Sequence, residues 1–205
     1  MKGRTLTSLG LLAIAFLLAA GPVLAGFEMG YYNDFQKSLD KWSPGSSAGR
    51  CVTKDALKLA FERLNYTKKS VAPQPFNGYA LLTNNCVQPV WMVANLTGTG
   101  NKFRIEFDAR SVAACEACIA IAYAGQSFPK YPGQFTTDYK SVGKSWGKHA
   151  MTVSMAPSID SGQDATTVIA IGFTNLDDTA DSGPQQFGID NLTVTLDGGS
   201  PPKND

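Results

Sequence analysis

One histidine, His149, stands in 205 residues, and that scarcity limits the chemistry open to the chain. No Ser or Cys nucleophile motif surrounds it in "GKHAMTV". Charge of either sign is also in short supply, with 18 Lys and Arg against 17 Asp and Glu. Lys68 and Lys69 are the only adjacent basic pair, so there is no basic stripe to draw nucleic acid or an anionic membrane. After residue 20 no apolar run is long enough to span a bilayer, which needs about 20 residues. A sustained 3.6-residue amphipathic pattern is missing as well, and this excludes a helical bundle.

What is present begins with Lys2 and Arg4, an apolar run of 12 residues from Leu9 to Ala20, Gly21-Pro22, and small residues ending at Ala25. This is the layout of a secretory signal peptide, with cleavage expected after Ala25. Residues 1–25 carry two of the 18 basic residues and none of the 17 acids, so the 180 residues left have a net charge of −1. That length fits one domain, expected over residues 26–197, with 198–205 as a flexible tail. The protein is expected outside the cytoplasm, extracellular or periplasmic, with attachment to a cell surface open.

Cys51, Cys86, Cys115 and Cys118 form an even set, which in an exported chain reads as two disulfides with three possible connectivities. Cys51 with Cys86 and Cys115 with Cys118 is the preferred pairing. In "SVAACEACIAIAY" a turn precedes a β-like run, whereas a redox CxxC needs a helix at the motif. Zinc on all four thiolates is the weaker alternative, because only one pair is closely spaced.

The rest of the chain reads as strands. "NKFRIEFDAR" sets Phe103, Ile105 and Phe107 against Arg104, Glu106 and Asp108, the period of two expected of a half-buried strand. "HAMTVSM" repeats the device, and "TTVIAIGF" and "IAIAYAG" are apolar enough to be central strands. "DALKLAFERLN" fits a short helix or a strand through Leu57, Leu59 and Phe61; its β neighbours favour the strand. "FGIDNLTVTL" places Ile189, Asn191, Thr193 and Thr195 on one face and Asp190, Leu192, Val194 and Leu196 on the other, leaving an acid on the apolar side. About ten strands between turn-rich stretches imply an all-β antiparallel sandwich or barrel.

Five short features occur in order: "NDFQKSLDKW", "NGYALLTNN", "GTGNKFRIEFDAR", "SWGKHAMTVSMAP" and "FGIDNLTV". As a set they resemble the jelly-roll carbohydrate-binding modules of the galactose-binding-like superfamily, which accompany secreted bacterial glycoside hydrolases. The resemblance implies a jelly-roll β-sandwich in which the acid of "IDN", Asp190, ligates a structural calcium (Ca2+). The family pattern has an acid directly after the N-terminal Phe, but here Phe35 is followed by Gln36, so Glu28 or Asp34 would have to substitute. The alternative is an Asp190 satisfied by backbone N–H groups. Trp42, Gly78 and Trp146 read as packing and turn residues, and "NLDDTADSG", with Asp177, Asp178 and Asp181, as a solvated loop.

A glycan site needs an aromatic platform beside polar groups. "GQSFPKYPGQFTTDYKS" supplies Phe128, Tyr131, Phe135 and Tyr139, and Trp91 is a further candidate because alternation sets it with Val93 on one face. No pair of carboxylates is recognisable as glycosidase machinery, so a non-catalytic, carbohydrate-binding protein is expected, not an enzyme, with a polysaccharide or surface glycan as partner. A different class is also open: a structural or adhesive subunit of a fibre, matrix or surface layer, self-associating through β edges. In that reading "GFEMGYY", residues 26–32, adds as a strand to a neighbour. Three glycosylation sequons, at Asn65, Asn95 and Asn191, are assigned no function.

Overall fold

A computed structural model describes residues 30–45, 55–62, 77–84, 89–97, 100–112, 117–129, 138–156, 166–176 and 185–197. These residues form eleven strands and no helix: β1 (Tyr31–Asn33), β2 (Ser43–Gly45), β3 (Leu57–Glu62), β4 (Asn77–Asn84), β5 (Val90–Thr97), β6 (Lys102–Ser111), β7 (Cys118–Gly125), β8 (Tyr139–Ser141), β9 (Gly147–Ser154), β10 (Thr166–Asn175) and β11 (Gln185–Leu196). One sheet runs β3-β4-β11-β6-β9 with β1 also paired to β11, and the other runs β2-β5-β10-β7-β8. Neighbours in both sheets are antiparallel. The architecture is a jelly-roll β-sandwich, and the ambiguous "DALKLAFERLN" contributes strand β3. Among the described residues no helix is long and apolar enough to cross a membrane.

The core fills the space between the sheets. Phe103, Ile105 and Phe107 of β6 are buried with Phe187 and Ile189 of β11, facing Met92, Ile171 and Phe173 from the other sheet. The rings interlock, with Phe173 stacked on Phe187 at 5.0 Å and set edge-on to Phe107 at 6.4 Å. Each such side chain removed from water contributes about 1.5–3 kcal/mol. Alternation therefore puts Arg104, Glu106, Asp108 and Arg110 of β6 on the opposite, outer face of the six-stranded sheet.

The first described segment docks against that sheet. Phe35 is fully buried with φ at 50°, and its backbone crosses β4 so closely at Gly78 that a Cβ there would collide with the Phe35 carbonyl. Glycine is therefore required at position 78 for the crossing. The Gly78 N–H also donates to Gln36 Oε1 at 3.0 Å. Trp42 is buried, as expected, and its Nε1 donates to the Tyr31 hydroxyl at 3.0 Å, which donates in turn to Asp40 Oδ2 at 3.0 Å. Burial above all pushes the Tyr31 phenol up to about 12. Tyr31 and Tyr32 pair with Val194 and Thr193 of their own β11. Within the segment 26–32 expected to add to a neighbour, Tyr31 and Tyr32 thus pair inside their own chain, and residues 26–29 lie outside the described residues.

Candidate functional site

The site begins at an irregularity in β11. Its pairing with β6 slips between Asp190 and Thr193, and Asn191 sits in the left-handed region with φ at 49°. Asparagine tolerates that conformation better than most residues. The bulge inserts one residue, so the strict alternation expected from the sequence fails here. Ile189 and Leu192 both point into the core, while Asp190 and Thr193 both lie on the outer face, opposite Asp108 and Glu106 of β6. Asp190 is thus not an acid on an apolar face, as its sequence position implied.

Two carboxylates, Asp108 and Asp190, face one another across paired strands, and amides hold both. Asn191 Nδ2 donates to Asp108 Oδ2 at 2.8 Å, Asn77 Nδ2 to Asp190 Oδ2 at 2.9 Å, and the Asn191 backbone N–H to Asp190 Oδ1 at 2.8 Å. Burial raises the Asp190 pKa, and Asp108 and Asp34 add to the rise, against the two hydrogen bonds that lower it. The Tyr32 hydroxyl donates to Asn191 Oδ1 at 3.2 Å, which joins β1, β11 and β6 through one side-chain amide. The Tyr32 phenol is itself raised, first by burial and then by Asp34, Asp190 and Asp108.

Around this relay lies a cleft of about 430 Å³, lined by Tyr32, Glu106, Asp108, Lys148, Asn191 and Thr193. Tyr32 is 37% exposed, a large ring open to solvent beside carboxylate, amide, hydroxyl and ammonium groups. Lys148 stands opposite Asp108 across β6 and β9, and Glu106 is tied to Arg104 at 2.8 Å. His149, paired with Phe107 across β6 and β9, stacks on that ring with centroids 5.5 Å apart. Burial lowers its pKa, partly offset by a bond to the Ala109 backbone. Further along the same face, Arg110 lies over the Trp146 and Tyr79 rings, at 4.9 and 5.6 Å, and is ion-paired with Glu62.

Chemically the cleft can hold a hydroxylated ligand, with Tyr32 as a ring platform, Lys148 as a donor, and Asp108 and Glu106 as acceptors. Asp190 is held in place by its neighbours. It is buried, and its two oxygens already accept N–H bonds. The Asp34 Oδ1 likewise accepts the Gln36 N–H at 3.1 Å. Among the described residues no three His, Cys, Asp or Glu side chains are grouped to hold a metal. Glu28 lies outside the described residues.

Of the aromatic residues singled out from the sequence, Trp91, Phe128 and Tyr139 fall on the other sheet. Trp91 is 1% exposed and packs against Phe128 at 5.7 Å, so as it stands it is no open platform. Tyr139 is 66% exposed on edge strand β8. Tyr131, Phe135, Asp177, Asp178 and Asp181 lie outside the described residues. So do Cys51, Cys86 and Cys115, whereas Cys118 opens β7, buried and disulfide-bonded. Sequence reasoning missed Tyr32, Lys148 and Asn191 as a group. The polar face of "NKFRIEFDAR" was the only signal pointing toward them.

No protein-family model matches the chain, and no curated protein sequence does. Similar solved structures are carbohydrate-binding modules with jelly-roll folds. One is a family 11 module from Clostridium thermocellum in complex with a β-1,3-1,4-mixed-linked tetrasaccharide, at 16% identity and TM-score 0.46 over 84% of this chain and 97% of that one. Another is a xylan-binding domain from Paenibacillus barcinonensis, at 10% identity and TM-score 0.45 over 81% and 92%. A third is the N-terminal cellulose-binding domain of a Cellulomonas fimi β-1,4-glucanase, at 12% identity and TM-score 0.42 over 84% and 97%.

Proposed function

We propose that this is a secreted, non-catalytic carbohydrate-binding protein that takes a glycan in the Tyr32 cleft, at a polysaccharide or cell surface. The observation that carries the reading is the exposed Tyr32 ring standing beside Asp108, Asn191, Thr193 and Lys148 in one cleft. A pyranose ring offers an apolar C–H face to such a ring and hydroxyls to the groups around it. The cleft volume lies in the range of about 300–1,000 Å³ common for ligand sites. Asp34, Asp108 and Asp190 gather negative charge around Tyr32, which favours a neutral glycan over a polyuronate. The order of sequence motifs that resembles carbohydrate-binding jelly rolls points the same way.

The test is a pull-down of the purified protein on insoluble cellulose, xylan, mixed-linkage glucan and pectate. Saturable binding to a neutral glycan, weakened at least about tenfold by Tyr32→Ala, is the expected result. Binding that survives Tyr32→Ala moves the site elsewhere. Retention on none of the four removes the carbohydrate reading.

A further inference from the structure

Solvent would be expected on the outer face of the five-stranded sheet, yet a second apolar cluster lies there. Trp91, Ile121 and Tyr123 are buried in it and Phe128 packs against them. The Trp91 indole rests on bare backbone at Gly172, where an added Cβ would meet ring atoms at 2.7–2.9 Å. Tyr123 in the same way rests over Gly125, where a Cβ would collide with it. Phe128 then meets both rings edge-to-face, at 5.7 Å from Trp91 and 6.0 Å from Tyr123. Its segment is latched by the Tyr123 hydroxyl, which donates to the Ser127 carbonyl at 2.7 Å.

This packing leaves one group unsatisfied. Trp91 Nε1 is buried and has no hydrogen-bond partner among the described residues. A buried indole N–H usually finds an acceptor, because leaving it alone gives up the hydrogen bond it would make in water. A benzyl side chain has no oxygen or nitrogen acceptor to offer, so Phe128, packed edge-to-face on the indole, does not answer its donor.

We propose that Trp91 is a capped platform for a pyranose ring, and that Phe128 occupies the place of that ring. A sugar displacing Phe128 would set its C–H groups against the indole and bring a hydroxyl oxygen to Nε1, which the protein leaves empty-handed. Tyr123, freed of Ser127, would supply a second hydroxyl at the rim. The cap lowers the apparent affinity by the fraction of molecules in which it is open. This inference rests on the carbohydrate reading but concerns the sheet opposite the Tyr32 cleft.

The experiment uses the full chain carrying Tyr32→Ala, which removes the cleft's ring, with and without Phe128→Ala. Cellohexaose binding is measured by calorimetry, and tryptophan accessibility by acrylamide quenching. Uncapping is expected to raise the quenching and to tighten cellohexaose binding at least about fivefold. Adding Trp91→Leu is expected to abolish both gains. Tyr123→Phe, which keeps the ring and removes the latch, should move both readouts in the same direction by less, and it carries the test if Phe128→Ala does not fold. An accessible Trp91 with no gain in cellohexaose affinity overturns the proposal, as does a gain that survives Trp91→Leu. Failure of the cleft assignment reads out separately, as unchanged binding when Tyr32→Ala is made alone.

Discussion

The bulge at Asn191 lends itself to a quantitative test because two of its contributions can be separated by substitution. Asn191→Ala keeps a Cβ at φ 49° without the side-chain bonding that lets asparagine tolerate it, and the left-handed conformation costs an ordinary residue about 1–2 kcal/mol. It also deletes the donor to Asp108 and the acceptor for Tyr32, worth about 1 kcal/mol together at this exposed position. Asn191→Gly deletes the same bonds but relieves the conformation, at the cost of added freedom in the unfolded chain. The alanine variant should therefore lose about 2 kcal/mol and the glycine variant about 1 kcal/mol. For a domain of this size each kcal/mol moves Tm by about 2–4 °C. Urea denaturation with unchanged slope gives the two values, and glycan pull-down reads the site, where both variants should bind more weakly because Tyr32 and Asp108 lose their common anchor. A glycine variant as unstable as the alanine variant, or worse, would refute the assignment of strain to this residue.

Two further expectations concern pH and metal. His149 has its pKa lowered by burial, so below the ordinary value of 6.5 the unfolded chain takes up a proton that the folded ring resists. Its contribution is complete above pH 6.5 and is lost as pH falls through that value toward the folded pKa. Melting temperature should drop over this interval, and His149→Gln should flatten the drop; an unchanged profile in that variant sinks the account. Because the Asp190 oxygens already accept N–H bonds, removing calcium with EDTA should leave Tm within about 1 °C of its value in calcium, and a drop of several degrees would assign calcium to this site.

Strand identity was legible wherever one face is buried and the other is wet. "NKFRIEFDAR" is β6 in the alternation its residues imply, and "HAMTVSM" continues β9. The aromatic platforms were less legible. Exposure of Trp91 depends on whether another segment lies over it, and its covering ring, Phe128, is 37 positions away in sequence. The cleft escaped notice for a similar reason. Tyr32 and Asn191 are 159 positions apart, and Asn191 and Asp108 are 83 apart, so no local pattern joins them.

By itself the sequence determined the fold class, because a period of two in apolar residues is a local property that survives in almost any pairing. It also determined which face of β6 would carry Glu106 and Asp108. Tertiary structure alone decided which way Asp190 points, since a single left-handed residue after it shifts the register and reverses every side chain beyond. It decided too that Trp91 is covered and Tyr32 is open, because burial follows from what packs across a face and not from the residue that stands on it.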